Sequence, residues 1–594
     1  MTYFLKENYY VDIDAANQLR ITGPGNHLLL GLTFPPKDRP VVERVREIKG
    51  DLSLTLAFAE KSLTFAPPVV TDIRTIRNYT ESVRPKPTYK DLARQGISEI
   101  LPGVVEYYDT EKNHVLLYEN IYTDEEGFEK YYGAKLLVSR AFSVTRRNGM
   151  ITISGHDQVR FRVKTQTNIS IAEKIESPIF ATATISTKER LNPFLRQLYK
   201  DSRKNIEFLV RTKKTSSFEY GTIFPRDWIE SADLGANDLS DETTDYMYGE
   251  SLRKISAKGE AWHEDVIGHF ARKVGEESVH IDRKMIDIEP RYIMGVPHLR
   301  TQFLLQDDIH KKLLLVSRYI LENAKRKELI SFKMQPGKGT GYYIVGNWRD
   351  SGNAFPSQKV PLSPYDVNCV FYPAALRIIR DFSDYFQIKQ KHAIEQLVEK
   401  WDHNKEKFRL YHPKGVLGYA LALHGKKNIP MPIAHLDESY DMFYGKPSMQ
   451  EIVSFAKKLV DPKFFYTPVG PILVAADEDE FTTSMYHGKV IWPKQAAYAV
   501  AGLARQYRYG KSQQWPAPVL DQLKESLVIT AEACFRGWTD LGFVPELYYY
   551  DKKNKKARLY IDQKKYEGQM SNIQLWSSVG ARRIIREYLM LKSS

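Results

Sequence analysis

Residues 307–324 read DDIHKKLLLVSRYILENA, a stretch in which apolar residues recur every three or four positions. This spacing predicts an amphipathic helix with one buried face. The same spacing recurs in residues 367–382, 494–507 and 571–589, and loops rich in Trp, Tyr, Asp, Gly and Pro separate these segments. Long helices joined by polar aromatic loops favour an all-α toroid whose loops gather at one end.

The first third of the chain has a different pattern. Residues 27–34, 52–58 and 158–163 alternate or cluster their apolar residues as strands do, and Asn148 with Gly149 forms a hairpin-turn pair. We therefore expect a multi-domain protein. An N-terminal antiparallel β-sandwich over residues 1–185 should precede an all-α toroid over residues 186–594.

Composition indicates an ordinary soluble globular protein, with 42% hydrophobic and 27% charged residues in 594. The two cysteines, Cys369 and Cys534, are too few for a disulfide framework, which favours a reducing compartment. The N-terminus lacks an apolar signal core, and no apolar run is long enough to cross a bilayer. We expect a cytoplasmic protein with no membrane partner.

The net charge of +13 does not predict nucleic-acid binding, because the basic residues are scattered along the chain. The densest basic run, residues 552–558, is typical of a solvated hairpin loop. The charge then serves either an anionic glycan or solubility. The sequence leaves the oligomeric state open.

Residues 346–355, GNWRDSGNAF, contain the leading candidate for a general acid. Asp350 follows Trp348 and Arg349, and a carboxyl group beside an aromatic wall can be desolvated. Desolvation raises a carboxyl pKa toward the value that a proton donor needs. The alternative is that Asp350 caps a short helix.

Residues 224–229, FPRDWI, suit the binding of a sugar. Arg226 and Asp227 can hold neighbouring hydroxyl groups by charge-assisted hydrogen bonds, while the face of Trp228 can stack on a pyranose. The alternative is an Arg–Asp surface pair beside a core tryptophan.

Residues 259–264, GEAWHE, place Glu260, His263 and Glu264 on one helical face or on a loop rim. A His–Glu pair without a second histidine cluster does not amount to a zinc motif. We therefore expect neither a metal nor a cofactor.

Two later segments add polar and aromatic candidates. Residues 486–493, YHGKVIWP, contain His487 and Trp492 and lead into a helix, with Pro493 in its first turn. His487 alone would more often be a structural histidine. Residues 542–548, GFVPELY, set Glu546 among aromatic residues, where a carboxylate can be held rigidly against a water; the alternative is an acid that ends a hairpin strand.

Taken in order, these segments resemble the amylo-α-1,6-glucosidase domain of glycogen debranching enzymes and related (α/α)6-barrel glycosidases. Residues 347–350 (NWRD) are similar to the family's Trp-x-Asp acid motif, and residues 367–372 (VNCVFY) to the helix that follows it. The remaining matches are residues 486–493 with the His-x-Gly-x-Val-Trp-Pro segment, Pro545-Glu546 with the late Ser-Glu base motif, and residues 574–577 (QLWS) with the closing Gln-Ala-Trp-Ser helix. Lys494 departs from the family, which usually has a second Trp there.

The resemblance implies an inverting glycoside hydrolase acting on α-glucosidic linkages of oligo- or polysaccharides, with carbohydrate as its partner. Asp350 would be the acid and Glu546 the base, with their carboxyl groups separated by roughly 6.5–9.5 Å to admit a water. The expected substrate-binding residues are Arg226, Asp227, Trp228, Glu260, His263, Glu264, Trp348, Arg349, His487, Trp492, Gln574 and Trp576. The alternatives are a trehalase-like or mannosylglycerate-hydrolase-like glycosidase of the same barrel, or a non-catalytic carbohydrate-binding relative.

Overall fold

The computed structural model describes two compact units. The first comprises Met1–Lys174, Glu207–Ile223 and Asp265–Ile281, and the second comprises Ile175–Ile206, Phe224–Glu264 and Asp282–Ser594. The described residues are 2–6, 8–14, 17–23, 27–48, 51–72, 91, 104–123, 127–148, 150–169, 175, 177–181, 191–217, 222–267, 279–335, 342–343, 346–351, 354–356, 361–412, 416–562 and 570–593.

The first unit consists of three main sheets whose strands pair antiparallel. In sheet order, the five-stranded sheet contains Thr2–Lys6, Tyr9–Ile13, Gln18–Thr22, His27–Thr33 and Val69–Asp72. The six-stranded sheet contains Val41–Ile48, Asp51–Ala57, Arg160–Thr167, Glu129–Ser139, Asn113–Thr123 and Val104–Asp109. The three-stranded sheet contains Phe142–Arg147, Met150–Gly155 and Ser62–Phe65.

One hydrophobic core joins these sheets. Along Asp51–Ala57 every second side chain is buried, as the period of a strand with one covered face requires. Leu54 of that strand and Leu30 of the five-stranded sheet belong to the same buried cluster. At the predicted turn Arg147 pairs with Met150 and Asn148 has a φ of 50°, while Gly149 lies outside the described residues. The antiparallel β region predicted for the N-terminal part is confirmed.

The second unit is mainly helical, as predicted. Its helices are Pro193–Arg211 (which ends in the first unit), Pro225–Leu234, Asp241–Leu252, Ile288–Met294, Thr301–Leu304, Asp307–Arg326, Tyr372–Asp381, Lys391–Asp402, Asn404–Phe408, Glu438–Tyr444, Met449–Val460, Pro493–Ser512, Ala517–Leu541 and Leu575–Ser593. A π-helical segment, Asp366–Phe371, precedes Tyr372–Asp381, and the 3-10 turns are Val296–His298 and Tyr560–Asp562.

Short strands complete the description. Glu264–Ile267 forms a two-stranded sheet with Val279–Asp282. The other sheets are Met334–Gln335 with Tyr342–Tyr343, Leu362–Pro364 with Ala422–His424 and Ile429–Pro430, Arg409–His412 with Val416–Tyr419, and Tyr548–Asp551 with Lys556–Leu559. The basic run at residues 552–558 includes the turn of the last hairpin, as predicted.

Six helical segments of the second unit contact one another in a closed succession. In order they are Pro225–Leu234, Ile288–Met294, Asp366–Phe371 with Tyr372–Asp381, Glu438–Tyr444, Pro493–Ser512 and Leu575–Ser593, and the last contacts the first. We call them the inner helices. The first five of them also contact a helix that lies later in the sequence, respectively Asp241–Leu252, Asp307–Arg326, Lys391–Asp402, Met449–Val460 and Ala517–Leu541. The toroid stays a prediction, which this succession supports.

The predicted domain boundary at residues 185 and 186 lies outside the described residues. It therefore stays a prediction. None of the helices that the structure describes combines the length and the apolar composition that a membrane crossing requires.

Gly259 offers a test of the packing in the second unit. Its φ is 85°, and a Cβ atom there would lie 2.2 Å from the carbonyl oxygen of Leu315. Because the backbone conformation and the contact both exclude a side chain, Gly259→Ala should lower the free energy of unfolding by about 2–4 kcal/mol. Gly542 is the matched control, since its φ is 80° and nothing lies within 4 Å of its Cβ position.

Gly542→Ala should cost only about 1–2 kcal/mol, the conformational part of the effect. Chemical denaturation of both variants measures the difference. Equal losses in the two variants would contradict the close approach at Gly259.

Candidate active site

Six of the fourteen predicted site residues lie at the N-terminal ends of inner helices, and the other eight lie outside the helices. Arg226, Asp227 and Trp228 occupy the first turn of Pro225–Leu234, which begins with a proline at a position where no backbone donor is needed. Trp492 immediately precedes Pro493–Ser512, and Gln574 immediately precedes Leu575–Ser593. Because these helices contact one another, their first turns bring residues distant in sequence together.

Asp350 lies where Arg226 and two histidines meet. Its Oδ2 atom accepts a hydrogen bond of 3.2 Å from Nη2 of Arg226 and lies 3.9 Å from Nε2 of His263. The next residue, Ser351, shares a hydrogen bond of 2.8 Å with Nδ1 of His487. The carboxyl group keeps 27% of its side-chain surface exposed, so solvent or a ligand can reach it. The alternative that Asp350 caps a short helix stays open, because residues 352 and 353 lie outside the described residues.

The electrostatic setting of Asp350 corrects one expectation. Burial does act to raise its pKa, but the positive charge around it, that of Arg226 above all, more than offsets that effect. The pKa of Asp350 therefore lies below its ordinary value. The expected net rise of this pKa is wrong, although burial acts in the expected direction, because the sequence around Asp350 does not reveal the arginine that contacts it.

Arg226 is surrounded by three carboxyl groups. Besides Asp350, its guanidinium lies 3.6 Å from Oδ1 of Asp227 and 4.0 Å from Oδ2 of Asp287. Burial lowers the pKa of Arg226, but Asp350 and Asp287 raise it well above its ordinary value. Burial raises the pKa of Asp227 to about 7, although Arg226 opposes that shift. Gln574 donates to Oδ2 of Asp227 over 3.3 Å.

Glu546 is held by a donor at each carboxylate oxygen. The hydroxyl of Tyr486 donates to Oε1 over 2.5 Å, and the backbone N–H of Ser571 donates to Oε2 over 2.5 Å. The ring of Tyr486 packs edge-on against His487, with centroids 5.0 Å apart. His487 is thus linked to Asp350 through Ser351 and to Glu546 through Tyr486. The predicted separation of their carboxyl groups stays a prediction.

Four aromatic side chains form one buried group beneath these acids. His487 stacks on Trp492 with centroids 5.5 Å apart and an interplanar angle of 6°. The edges of Trp348 and Trp576 meet Trp492 at 6.0 and 5.8 Å. Burial lowers the pKa of His487 to about 3, so this histidine is neutral at physiological pH.

The tryptophans differ from the expected stacking platform. Trp228 is fully buried and packs near Tyr246, so its face is not available to a sugar as the sequence suggested. Trp348, Trp492 and Trp576 are also buried. These indoles pack against polar groups of the site, as Trp492 does against His487 and Trp576 against Arg226.

Arg349 binds protein groups rather than facing the site. Its guanidinium makes a bidentate ion pair with Asp437, at 2.7 and 3.0 Å, and donates to the carbonyl oxygens of His487 and Leu473. Both partners of the pair are buried. Arg349 thus joins the Asp350 segment to the start of helix Glu438–Tyr444.

The GEAWHE segment lies in a loop that runs into a strand. His263 contacts Asp282 at 3.3 Å and borders Asp350, whereas the carboxylate of Glu260 lies 3.7 Å from Lys333. Glu264 is buried and begins strand Glu264–Ile267. Of the three, the described contacts bring only His263 to Asp350. Among the described residues, no group of His, Cys, Asp and Glu is arranged to hold a metal ion.

Sequence reasoning missed three participants. Tyr486 begins the segment 486–493, but no local sequence pattern predicts its hydrogen bond to Glu546. Asp287 carries no motif: it is fully buried, and neither carboxylate oxygen accepts a hydrogen bond from a residue that the structure describes. Burial raises its pKa. Glu230, in the turn after Asp227, holds both Arg291 and Lys494.

No protein-family model and no curated protein sequence matches this chain. Among solved structures, the GH63 mannosylglycerate hydrolase from Thermus thermophilus in complex with glucose is similar at a TM-score of 0.42 and 11% identity, over 66% of this chain and 100% of that chain. The GH78 family rhamnosidase of Bacillus sp. GL1 is similar at a TM-score of 0.45 and 12% identity, over 93% of this chain and 47% of that one. The rhamnosidase from Klebsiella oxytoca with rhamnose bound has a TM-score of 0.45 and 10% identity, over 98% and 94%. At TM-scores this low the likeness assigns no reaction to this chain.

The pair of Arg349 with Asp437 provides a test of how the site is held. Arg349→Met leaves the carboxylate of Asp437 buried without its partner, which should lower the free energy of unfolding by about 3–5 kcal/mol. The double variant Arg349→Met with Asp437→Leu removes both charges and should recover part of that loss. Denaturation of the single and double variants measures the coupling; strictly additive losses would show that the pair is not coupled.

Proposed function

We propose that this protein is an inverting glycoside hydrolase built on an (α/α)6 toroid, acting on α-glucosidic linkages. Asp350 donates a proton to the departing glycosidic oxygen. Glu546 takes a proton from the water that attacks the opposite face of the sugar. The substrate-class part of this proposal rests on the resemblance of the motifs to amylo-α-1,6-glucosidases.

The observation that carries the proposal is that His487 is linked to both acids, each time through one neighbouring residue. Its Nδ1 atom hydrogen bonds the residue after Asp350, and its ring packs on Tyr486, which donates to Glu546. Two acids that are 546 − 350 = 196 residues apart in sequence thus border one aromatic group. A pair of carboxyl groups flanking a sugar is the arrangement that glycoside hydrolysis needs.

Glu546 is suited to the role of base by its rigidity. Tyr486 and the backbone of Ser571 fix both carboxylate oxygens, so the carboxylate has one orientation. A base that aims a single water at the anomeric carbon needs such an orientation, because misplacement of the reacting groups reduces the rate steeply.

Asp350 needs help from the substrate to act as an acid. Arg226 lowers its pKa in the free protein, so the carboxyl group is ionised near neutrality. A bound sugar would cover the 27% of the side chain that solvent now reaches. That desolvation raises the pKa of a carboxyl group and favours the protonated form.

Polar atoms with unused hydrogen-bonding capacity surround Arg226 and suit the hydroxyl groups of the terminal sugar. Both oxygens of Asp287, Oδ1 of Asp227 and Oε1 of Gln574 accept no hydrogen bond from the described residues. Buried acceptors of this kind normally find partners. Sugar hydroxyl groups are donors that satisfy them, and we assign Asp287 to the same subsite as Asp227.

The test of this function is hydrolysis of a glycan panel, with single-residue variants as controls. Asp350→Asn and Glu546→Gln should each reduce release of reducing sugar by about 100- to 10,000-fold, the contribution of general acid–base catalysis. Asp384→Asn, which alters a carboxyl group that is 94% exposed, should leave the rate unchanged. Circular dichroism checks that all three variants fold.

The panel should contain maltotriose, isomaltose-type branches, trehalose and mannosylglycerate, because the product identifies the linkage. NMR of the first sugar released should show the β-anomer from an α-linkage, as inversion requires. Sugar binding without hydrolysis of any member would make the protein a carbohydrate-binding relative instead.

The pH dependence should reflect the ion pair of Asp350 with Arg226. Because kcat/KM reports the free enzyme and Asp350 must be protonated there, kcat/KM should have an acidic optimum. It should fall about tenfold per pH unit above the pKa of Asp350. In Arg226→Gln the decline should begin at higher pH, because the cation that lowers this pKa most is absent. A decline at the same pH in both proteins would remove Asp350 from the role of acid.

A further inference from the structure

Lys494 has an unusual environment for a lysine. It follows Pro493 in the first turn of helix Pro493–Ser512 and is fully buried. Its Nζ atom lies 4.2 Å from the centroid of the Trp348 ring and 4.2 Å from that of the Trp576 ring. An ammonium group at such distances from two indoles is attracted by both π systems.

Two polar groups hold the ammonium between the rings. Nζ donates to Oε2 of Glu230 over 2.8 Å and to the hydroxyl of Tyr440 over 3.0 Å. The other oxygen of Glu230 lies 2.7 Å from Nη2 of Arg291. A buried charge persists only where it is paired and hydrogen bonded, and Lys494 has both kinds of partner.

The rings of Trp348 and Trp576 lie close to Asp350 in the sequence and to Arg226 in space, respectively. Trp348 precedes Asp350 by one intervening residue, so its orientation constrains the segment that carries the carboxyl group. The Trp576 ring lies 6.0 Å from the guanidinium of Arg226, which is the hydrogen-bond partner of Asp350. One ammonium group thus contacts the supports of both.

We propose that Lys494 is a positioning residue whose charged ammonium group fixes the Trp348 and Trp576 rings, and through them Asp350 and Arg226. The inference deepens the glycosidase proposal and rests on it for its kinetic test.

The positive charge of Lys494 can be removed by raising the pH. Burial lowers the pKa of Lys494 to about 8, although Glu230 opposes that shift. The ammonium is therefore present below this pH and is lost as the pH rises through it. Loss of the proton removes both the attraction to the rings and the ion pair with Glu230.

Charged groups on two neighbouring helices act on Lys494. Helix Pro225–Leu234 contributes Glu230, Arg226 and Asp227, and helix Ile288–Met294 contributes Arg291 with Asp287 before it. The pKa of Glu230 is lowered, because Arg291 and Lys494 outweigh its burial, so it stays charged. Asp227 is one group that titrates nearby, with a pKa raised to about 7 by burial.

The remaining neighbours do not change charge near the pKa of Lys494. Burial raises the pKa of Tyr440 well above its ordinary value, and burial lowers that of His487 to about 3. Burial raises the pKa of Asp437, but Arg349 more than offsets it, so this carboxylate stays ionised. The pKa values of Asp227 and Asp287 are both raised by burial, so Asp227→Asn and Asp287→Asn are the controls for a titration of Lys494.

A fluorescence titration tests the contact of the Lys494 ammonium group with the Trp348 and Trp576 rings, and it does not depend on catalysis. The intrinsic tryptophan emission of the wild-type protein should change with a midpoint near pH 8 as the cation leaves the two indoles. The transition should be absent in Lys494→Met, shifted to higher pH in Lys494→Arg, and retained in Asp227→Asn and in Asp287→Asn. No transition in the wild type, or the same transition in Lys494→Met, would overturn the proposal.

Kinetics tests the consequence for Asp350. At about pH 6, where a lysine of this pKa is charged, Lys494→Met should lower kcat about 10- to 100-fold with KM nearly unchanged, because the acid is displaced. Lys494→Arg, which keeps a cation, should restore most of kcat. A wild-type kcat in Lys494→Met, or a loss of equal size in Lys494→Arg, would contradict the positioning role.

Lys458 provides the matched control for burial itself. Its ammonium group is also fully buried and is paired with Glu438, at 2.5 Å from Oε2. Lys458→Met should destabilise the fold yet keep kcat per folded molecule. A loss of kcat in Lys458→Met like that in Lys494→Met would reduce the effect to general destabilisation. If the wild type hydrolyses no glycan, the proposed function fails. The fluorescence titration then still tests whether the charged Lys494 holds the two tryptophan rings.

Discussion

The second unit depends on the buried ion pairs that the carboxylate of Glu230 forms with Arg291 and Lys494. That carboxylate lies 2.7 Å from Arg291 and 2.8 Å from Lys494, and all three residues are buried. Neither cation can remain charged in the interior without a partner, because desolvation costs several kcal/mol for each ion. One anion therefore secures three of the inner helices, those that carry Glu230, Arg291 and Lys494, and the tryptophans around Lys494 follow their placement.

The ends of the inner helices explain why so many acids can be buried together. Asp287, Asp366 and Asp437 all lie at the start of an inner helix, where the free N–H groups and the helix dipole favour negative charge. The pKa values of these acids nevertheless differ, because their neighbouring groups differ. Burial raises the pKa of Asp366 to about 7, whereas Arg349 outweighs burial at Asp437 and lowers its pKa. Similar positions thus give different protonation states.

Local periodicity was enough to predict the elements but not the partners of the site. The predicted segment 307–324 is the helix Asp307–Arg326, and 494–507 lies within Pro493–Ser512, because amphipathic spacing is a local property. In contrast, Glu230 and Lys494 are 264 residues apart, and Arg349 and Asp437 are 88 apart. No spacing rule connects such residues, so the sequence predicts sugar binding for Arg349 and does not predict the ion pair of Lys494.

The acid illustrates the same limit in its electrostatics. Sequence places Asp350 beside Trp348, and burial does act on its pKa as an aromatic neighbour suggests. Arg226, 124 residues earlier, reverses the net direction. The sign of a carboxyl pKa shift is therefore a tertiary property, set by whichever charge the fold brings within a few ångströms. An acid that is ionised when free and protonated when covered would couple proton loading to substrate binding, and Arg226 is the residue that creates this requirement.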